Sequence, residues 1–112
     1  MKRIEAIVRP DKVGVVFNAL QKVGHLGVMV SEIEGHGHQE GLKLQVHGKT
    51  YNVDLITKAR VEVVVKESEL DTIVEAIRVA AYTGEIGDGK IFIHPVVDAM
   101  RVRTGERGEN AV

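Results

Sequence analysis

A chain of 112 residues, with 44% hydrophobic and 28% charged residues, is expected to fold as one globular domain spanning 1–112. Its formal net charge of −1 argues against a basic surface that binds nucleic acid or acidic membranes. The absence of cysteine excludes disulfides, cysteine zinc sites and thiol nucleophiles. No apolar run approaches the ~20 residues needed to span a bilayer, and the N-terminal MKRIEAIVRP does not resemble a signal peptide, so a cytoplasmic location without membrane insertion is predicted.

The first half of the sequence predicts a strand, a helix and a second strand. Polar and apolar residues alternate over 1–9, which is strand periodicity. The apolar face of that strand holds Ile4, Ala6 and Val8. Pro10 suits the first turn of a helix, and Gly24 suits its end. A second strand is predicted over 26–34.

The glycine-rich stretch 35–54 has no clear core periodicity, which is typical of functional or mobile loops. Alternating apolar residues within it predict a protruding hairpin that turns at 47–48. Three histidines share the stretch, and His36 with His38 forms a His-x-His pair of the kind that can bind metal. No carboxylate or cysteine at a familiar spacing completes a tetrahedral set, so solvated histidines are the favoured interpretation.

The second half repeats the pattern of the first. Residues 58–65 alternate as a strand, and Ser68 with the acidic Asp71 three residues later resembles the N-cap of a following helix. A loop over 83–89 leads to a strand over 90–97, and the polar tail beyond it is expected to be loose in a monomer.

The resulting order β-α-β-β-α-β is the ferredoxin-like α+β pattern, in which helices cover one face of an antiparallel sheet. The other face must then be solvated or buried by association. Apolar residues expected on that face are Ile7, Met29, Ile33 and Val64. We therefore expect an oligomer.

Two segments carry candidate chemistry. The stretch 83–90, TGEIGDGK, places three glycines and Lys90 before a strand, so backbone amides and an ammonium group can approach an anion. It is not the P-loop pattern GxxxxGK[ST], because Ile91 follows the lysine. Arg101 and Arg103 place two guanidinium groups on one side of an extended segment, which suits a polyphosphate. A glycine-rich turn and a solvated basic tail stay open as alternatives.

Taken together, these segments resemble the PII nitrogen signal-transduction proteins over essentially the whole chain. The residues that carry the resemblance are TGEIGDGKIF at 83–92, RVRTGE at 101–106 and the first strand MKRIEAIVRP. In the family's terms, the chain has a long T-loop after strand 2 at about 36–54, a B-loop at about 82–90 and a C-terminal loop at about 98–112. The resemblance implies a homotrimer that binds ATP or ADP in clefts between its subunits.

The resemblance also implies specific ligand residues. Those expected at the nucleotide are Met29, Gly37, His38, Gln39, Glu62, Val64, Gly87, Asp88, Gly89, Lys90, Arg101 and Arg103, with the two arginines reaching from a neighbouring subunit. Those expected at 2-oxoglutarate are Gln39, Lys58 and Arg9. Gln39 is also expected to give an oxygen to a Mg²⁺ ion that the ATP phosphates hold. The implied output is regulation of an ammonium transporter or a nitrogen-metabolism enzyme through the T-loop.

Four positions affect which of the family's binding and signalling properties are expected in this chain. His38 stands where the family usually has arginine, which predicts a weaker or more pH-sensitive phosphate clamp. Met29 stands where a threonine is common, so base recognition would fall to backbone groups. Val46 stands where many relatives carry a tyrosine, so the preferred target is expected to differ. Tyr51 matches the tyrosine that some relatives have uridylylated, and an unmodified loop tyrosine is the alternative.

Two other functions compete with a regulator. A small ATP-hydrolysing enzyme or phosphohydrolase on the same fold is one, although no nucleophile or tuned acid–base pair is evident. An RNA-binding ferredoxin-like domain is the other, although such domains stack bases on sheet aromatics and only 4% of this chain is aromatic. We therefore expect a binding regulator rather than an enzyme, with no direct nucleic-acid partner.

Overall fold

The computed structural model describes residues 1–25, 27–36, 42–46, 49–53 and 55–112. The described residues form six strands and two helices. In order they are β1 (Lys2–Val8), α1 (Val13–Lys22), β2 (Met29–His36), β3 (Leu42–Val46), β4 (Lys49–Val53), β5 (Leu55–Val65), α2 (Leu70–Ala81) and β6 (Lys90–Pro95). Short 3-10 turns at Pro10–Lys12 and Glu67–Glu69 lead into the helices, and a third at Gly108–Ala111 closes the tail.

The main sheet has four strands in the order β2-β5-β1-β6, and every neighbouring pair is antiparallel. β1 and β5 are therefore interior strands, whereas β2 and β6 form the two edges. The ferredoxin-like α+β fold expected from the sequence is confirmed. The predicted hairpin is also confirmed, because β3 pairs with β4 as a separate two-stranded sheet; its turn at 47–48 lies outside the described residues.

The core lies between one face of the sheet and the two helices. Ala6 of β1 stands opposite Val61 of β5 and Ile91 of β6, and alternate residues along both interior strands are buried. The fully buried large side chains are Ile4, Val8, Val16, Leu20, Val61, Val63, Val65, Ile73 and Ile77. Burying one such aliphatic side chain is worth about 1.5–3 kcal/mol, so this interface supplies the main stabilisation of the fold.

The opposite face of the sheet carries the residues that alternate with the core. Ile7, Ile33 and Val64 are half-buried there, and Met29 is 59% exposed. The expectation that these four share the helix-free face is confirmed by the strand register.

Three local predictions are wrong, and two of them concern where an element begins. Ser68 does not cap a helix: it lies within the 3-10 turn Glu67–Glu69, and the N-cap of α2 is Glu69, which makes no side-chain cap hydrogen bond. The second strand begins at Met29 rather than at 26. Its start is set by pairing, since Met29 is the residue that meets Glu62 of β5.

The third wrong prediction concerns the tail, which is folded rather than loose. Met100 and Arg107 form an antiparallel bridge, and the amide of Gly105 donates to the carbonyl of Arg101 at 2.8 Å. Residues 102–104 therefore form a turn, not the extended segment that the sequence suggested. Gly105 makes this reversal accessible because its φ is +75°. Among the described residues, no helix combines the length and apolar character that crossing a bilayer requires.

Candidate functional site

The 83–90 loop is organised around the carboxylate of Asp88. The amides of Thr83 and Gly84 each donate to Asp88 Oδ2 at 2.9 Å, and the Thr83 hydroxyl donates to Oδ1. Arg9 adds an Nε–H donated to Oδ1 at 3.2 Å. These bonds, those from Thr83 first, hold the pKa of Asp88 well below its usual range. The loop is therefore held together by a carboxylate that is charged at neutral pH.

Three glycines in the loop adopt left-handed backbone angles. Gly84, Gly87 and Gly89 have φ values of +88°, +104° and +102°. Gly89 is also the point of closest approach to the sheet, because a Cβ built there would lie 1.7 Å from the carbonyl oxygen of Ile7. Only glycine fits this position, and the contact seats the loop against interior strand β1.

Two cations from distant parts of the chain pack on the loop. Arg9 follows β1, and its Nη2 donates to the carbonyl of Ile86 at 2.9 Å. Lys58 of β5 donates its Nζ–H to the carbonyl of Gly87. The predicted effector residues Arg9 and Lys58 are thus brought to the predicted phosphate loop, where Lys90 begins β6.

The structure places three further nucleotide candidates on the helix-free face. Met29 stands opposite Glu62, while Val64 lies two residues further along β5. The predicted residues Gly37, His38 and Gln39 lie outside the described residues. Tyr51 belongs to β4, but its side chain is also outside the described part of the chain.

Among the described residues, neither Arg101 nor Arg103 forms a hydrogen bond or ion pair with the 83–90 loop. Arg101 lies 3.5 Å from the Glu106 carboxylate through Nη1 and donates Nη2 to the Asn110 carbonyl at 3.3 Å, so its partners are within the tail. Arg103 is exposed. The contacts of the described residues therefore keep Arg101 within the tail and do not bring either arginine to the 83–90 loop.

The helix-free face also carries a charge network that the sequence interpretation missed. Arg60 Nε lies 3.0 Å from the Glu5 carboxylate and 3.7 Å from that of Glu62, while His94 Nε2 lies 3.2 Å from Glu5. Glu5 and Glu62 are direct cross-strand neighbours, an arrangement of like charges that destabilises a sheet unless a cation bridges it. The strand alternation that identified the core could have revealed this cluster, since all four residues have the opposite parity.

A second acidic anchor orders the tail. Asp98 accepts from Arg107 Nε at 2.8 Å and from the Gly108 amide at 3.0 Å. The amide of Ala99, followed by Arg107, lowers the pKa of Asp98. Within the described residues, no three His, Cys, Asp or Glu side chains gather as a metal site. His38 of the His-x-His pair and the side chain of His36 lie outside that part.

The chain resembles known proteins in both sequence and structure. The family model described as "Nitrogen regulatory protein P-II" matches residues 1–106. A protein named nitrogen regulatory protein P-II 2 from Methanothermobacter thermautotrophicus is 47% identical over 112 residues, which is 100% of this chain and 97% of that protein. The nitrogen regulatory protein P-II of Azospirillum brasilense is 46% identical over 112 residues, with 100% of both chains covered.

A solved structure is also similar to this chain. The crystal structure of Arabidopsis thaliana PII bound to citrate superposes with a TM-score of 0.81 at 43% sequence identity, covering 99% of this chain and 91% of that one. The likeness extends over nearly the whole fold, including the part that carries the 83–90 loop.

Proposed function

Since the chain belongs to the P-II nitrogen regulatory protein family, we propose that it senses ATP, ADP and 2-oxoglutarate at subunit interfaces and regulates target proteins through its 36–54 loop. The observation that carries the proposal is the ordered 83–90 loop with Arg9 and Lys58 packed against it. Regulation of nitrogen metabolism in the cytosol, through an ammonium transporter or a metabolic enzyme, is the corresponding biological role.

Phosphate binding follows from the form of the loop. Gly87 lets the backbone approach an anion without an intervening Cβ, and Lys90 adds a positive charge. Asp88 faces its own loop amides and Arg9, so its negative charge is already compensated before a phosphate arrives. In the proposed complex, Arg101 and Arg103 of a neighbouring copy supply the additional charge that a polyphosphate needs.

Effector binding follows from the contact that Lys58 already makes. Its ammonium group donates to the neutral carbonyl of Gly87, whereas a carboxylate makes a stronger, charge-assisted bond. A dicarboxylate such as 2-oxoglutarate would displace that carbonyl, with Arg9 close by. In this proposal Gln39 gives an oxygen ligand to Mg²⁺ on the ATP phosphates, which suits a hard cation. The plant PII structure, bound to citrate, offers a precedent for a small polycarboxylate on this fold.

Assembly into a homotrimer completes the proposed site. Large apolar side chains are exposed at both sheet edges: Met29 (59%) and Val30 (51%) on β2, and Phe92 (46%) and Ile93 (48%) on β6. Because the two edges differ, joining one to the other is a heterologous contact, and a rotation of one third of a turn between copies would close it into a three-membered ring. Such a ring brings the tail arginines of one copy toward the loop of the next.

Titration calorimetry on the full chain tests this proposal. ATP with Mg²⁺ is titrated first and 2-oxoglutarate second, with the mass of the assembly measured by light scattering. We expect a trimer, ATP binding, and 2-oxoglutarate binding that requires Mg-ATP. A protein that binds no nucleotide as a trimer would refute it, and rapid phosphate release would favour the hydrolytic alternative.

A matched pair of variants locates the effector site. Lys58→Gln should lose 2-oxoglutarate binding and keep ATP binding, because its Nζ is the proposed carboxylate partner. Lys22→Gln removes the same charge from an exposed position at the end of α1 and should behave as the unmodified chain. Equal 2-oxoglutarate affinity in the two variants would remove Lys58 from the site.

A further inference from the structure

A cavity lies behind the 83–90 loop, on the helix side of the sheet. It has a volume of about 320 Å³, within the range of small-molecule pockets. Its walls come from α2, β1, β6 and the end of the loop: Ile7, Val8, Val74, Arg78, Ala81, Tyr82, Asp88, Gly89, Lys90 and Ile91. It therefore opens on the opposite side of the sheet from Met29, Glu62 and Val64, the candidate nucleotide residues of the helix-free face.

The interior of this cavity is apolar and reaches the core. Val8 and Ala81 at its base are only 2% and 7% exposed, and both belong to the core cluster. Val74 and Ile91 are half-buried side chains packed against that cluster. Protein interiors are close-packed, so an apolar recess of this size beside the core is a surface that a hydrocarbon group would fill.

The rim of the cavity carries two cationic residues, Arg78 and Lys90. Among the described residues that line it, Asp88 is the only acidic one, and that carboxylate is already engaged by Thr83, Gly84 and Arg9. Arg78 donates Nε and Nη2 to Glu75, which leaves its Nη1 for another acceptor. Lys90, an exposed residue that begins β6, also lines the opening. An apolar interior beneath a cationic rim fits a molecule with a hydrocarbon body and an anionic head.

We propose that this cavity binds a small apolar carboxylate, with its hydrocarbon chain against Val74 and Ile91 and its carboxylate between Arg78 and Lys90. Binding at the cavity stands independently of nucleotide sensing. Its coupling to nucleotide rests on the proposed function, because Lys90 would serve both ligands. The carboxylate bound in the cavity then competes with phosphate for the Lys90 ammonium group, which lowers the affinity of the loop for phosphate.

Amide chemical shifts of the full chain test the binding, with octanoate as the probe and acetate as the head-group control. Octanoate should give saturable shifts confined to residues 7–8 and 74–91, and acetate should bind at least roughly a hundredfold more weakly because it buries almost no hydrocarbon. No saturable shift with octanoate, or shifts centred on the exposed apolar sheet edges, would overturn the assignment.

Filling the cavity supplies the matched control. Val74→Phe places a ring in the recess, whereas Val79→Phe makes the same change on the same helix at a position that is 62% exposed and outside the lining. Octanoate binding should be lost in the first and kept in the second. Arg78→Gln, which leaves the interior intact, should weaken octanoate by about fivefold or more. Unchanged binding in both Val74→Phe and Arg78→Gln would refute the site.

The coupling is measured by titrating ATP with and without saturating octanoate. ATP affinity should fall severalfold in the unmodified chain and in Val79→Phe, but not in Val74→Phe. If octanoate binds but does not change the affinity for ATP, the shared use of Lys90 is refuted and the cavity assignment is not. If ATP does not bind at all while octanoate does, the proposed nucleotide function fails and the cavity assignment stands.

Discussion

Gly89→Ala provides a quantitative test of how the 83–90 loop is seated. The new Cβ would lie 1.7 Å from the carbonyl oxygen of Ile7, 2.8 Å from its carbonyl carbon and 3.4 Å from Val8 Cα. These are backbone atoms of β1, which is paired on both sides by β5 and β6 and has little room to move. The residue would also have to hold a φ of +102°.

The expected loss of stability combines two effects. A residue other than glycine in a sparsely populated backbone region costs about 1–3 kcal/mol, and overpacking adds about 1–3 kcal/mol. Gly89→Ala should therefore lower the free energy of unfolding by about 2–6 kcal/mol and Tm by at least about 8 °C. Urea and thermal unfolding followed by circular dichroism, at fixed protein concentration, measure both quantities.

Gly105→Ala separates the two effects. Gly105 also has a positive φ, +75°, but a Cβ there would meet nothing within 4 Å. Only the backbone strain of about 1–2 kcal/mol should appear in this variant. If Gly89→Ala is no more destabilising than Gly105→Ala, the close approach of the loop to Ile7 is not a constraint on the folded chain.

The remaining predictions concern charge, core and a helix contact. Because hydrogen bonds lower the pKa of Asp88, its carboxylate contributes stability that is present above the ordinary aspartate pKa of about 3.9 and is lost as pH falls through the lowered value. Asp88→Asn should thus lower the urea midpoint at pH 7. If the difference in urea midpoint between the unmodified chain and this variant is not smaller at pH 3 than at pH 7, this reasoning is wrong. Ile77→Ala, at a fully buried site, should lose about 2–5 kcal/mol, whereas Val79→Ala, 62% exposed on the same helix, should change unfolding by less than about 0.5 kcal/mol. His25 Nε2 lies 2.5 Å from the Glu69 carboxylate, so a double-mutant cycle of His25→Ala and Glu69→Ala should show a coupling of about 0.5–1 kcal/mol, and a coupling near zero would show that the contact does not stabilise the fold.

The sequence predicted the elements that are governed by local periodicity. β1 and the second half of β5 alternate strictly because one face of each is buried, so the alternation alone assigns Ile4, Ala6 and Val8 to the core. Ser68 failed as a cap because the chain enters α2 through a 3-10 turn, an alternative that the capping pattern does not distinguish. The turn at 102–104 was missed because the backbone hydrogen bond that closes it, from Gly105 to Arg101, leaves no periodic pattern in the sequence.

The sequence also predicted part of the candidate site and missed the rest. Its glycines and Lys90 were visible as a local pattern, and the family resemblance added Arg9 and Lys58. The sequence did not disclose that Asp88 accepts hydrogen bonds from Thr83 and Gly84 of its own loop and from Arg9, which is 79 residues away. The network of Glu5, Arg60 and His94 also joins three separate strands, so it became visible only when the strand register was known.

The contact between Lys58 and Gly87 has an entropic consequence. A lysine side chain that is free in solution loses up to about 2 kcal/mol of rotamer freedom when it is immobilised. Here that loss occurs on folding, because the ammonium group is already held by the loop carbonyl. A ligand that takes over Lys58 therefore exchanges one partner for another without ordering a mobile chain. The side chain is preorganised, so even a small carboxylate with few other contacts would keep most of its interaction energy as affinity.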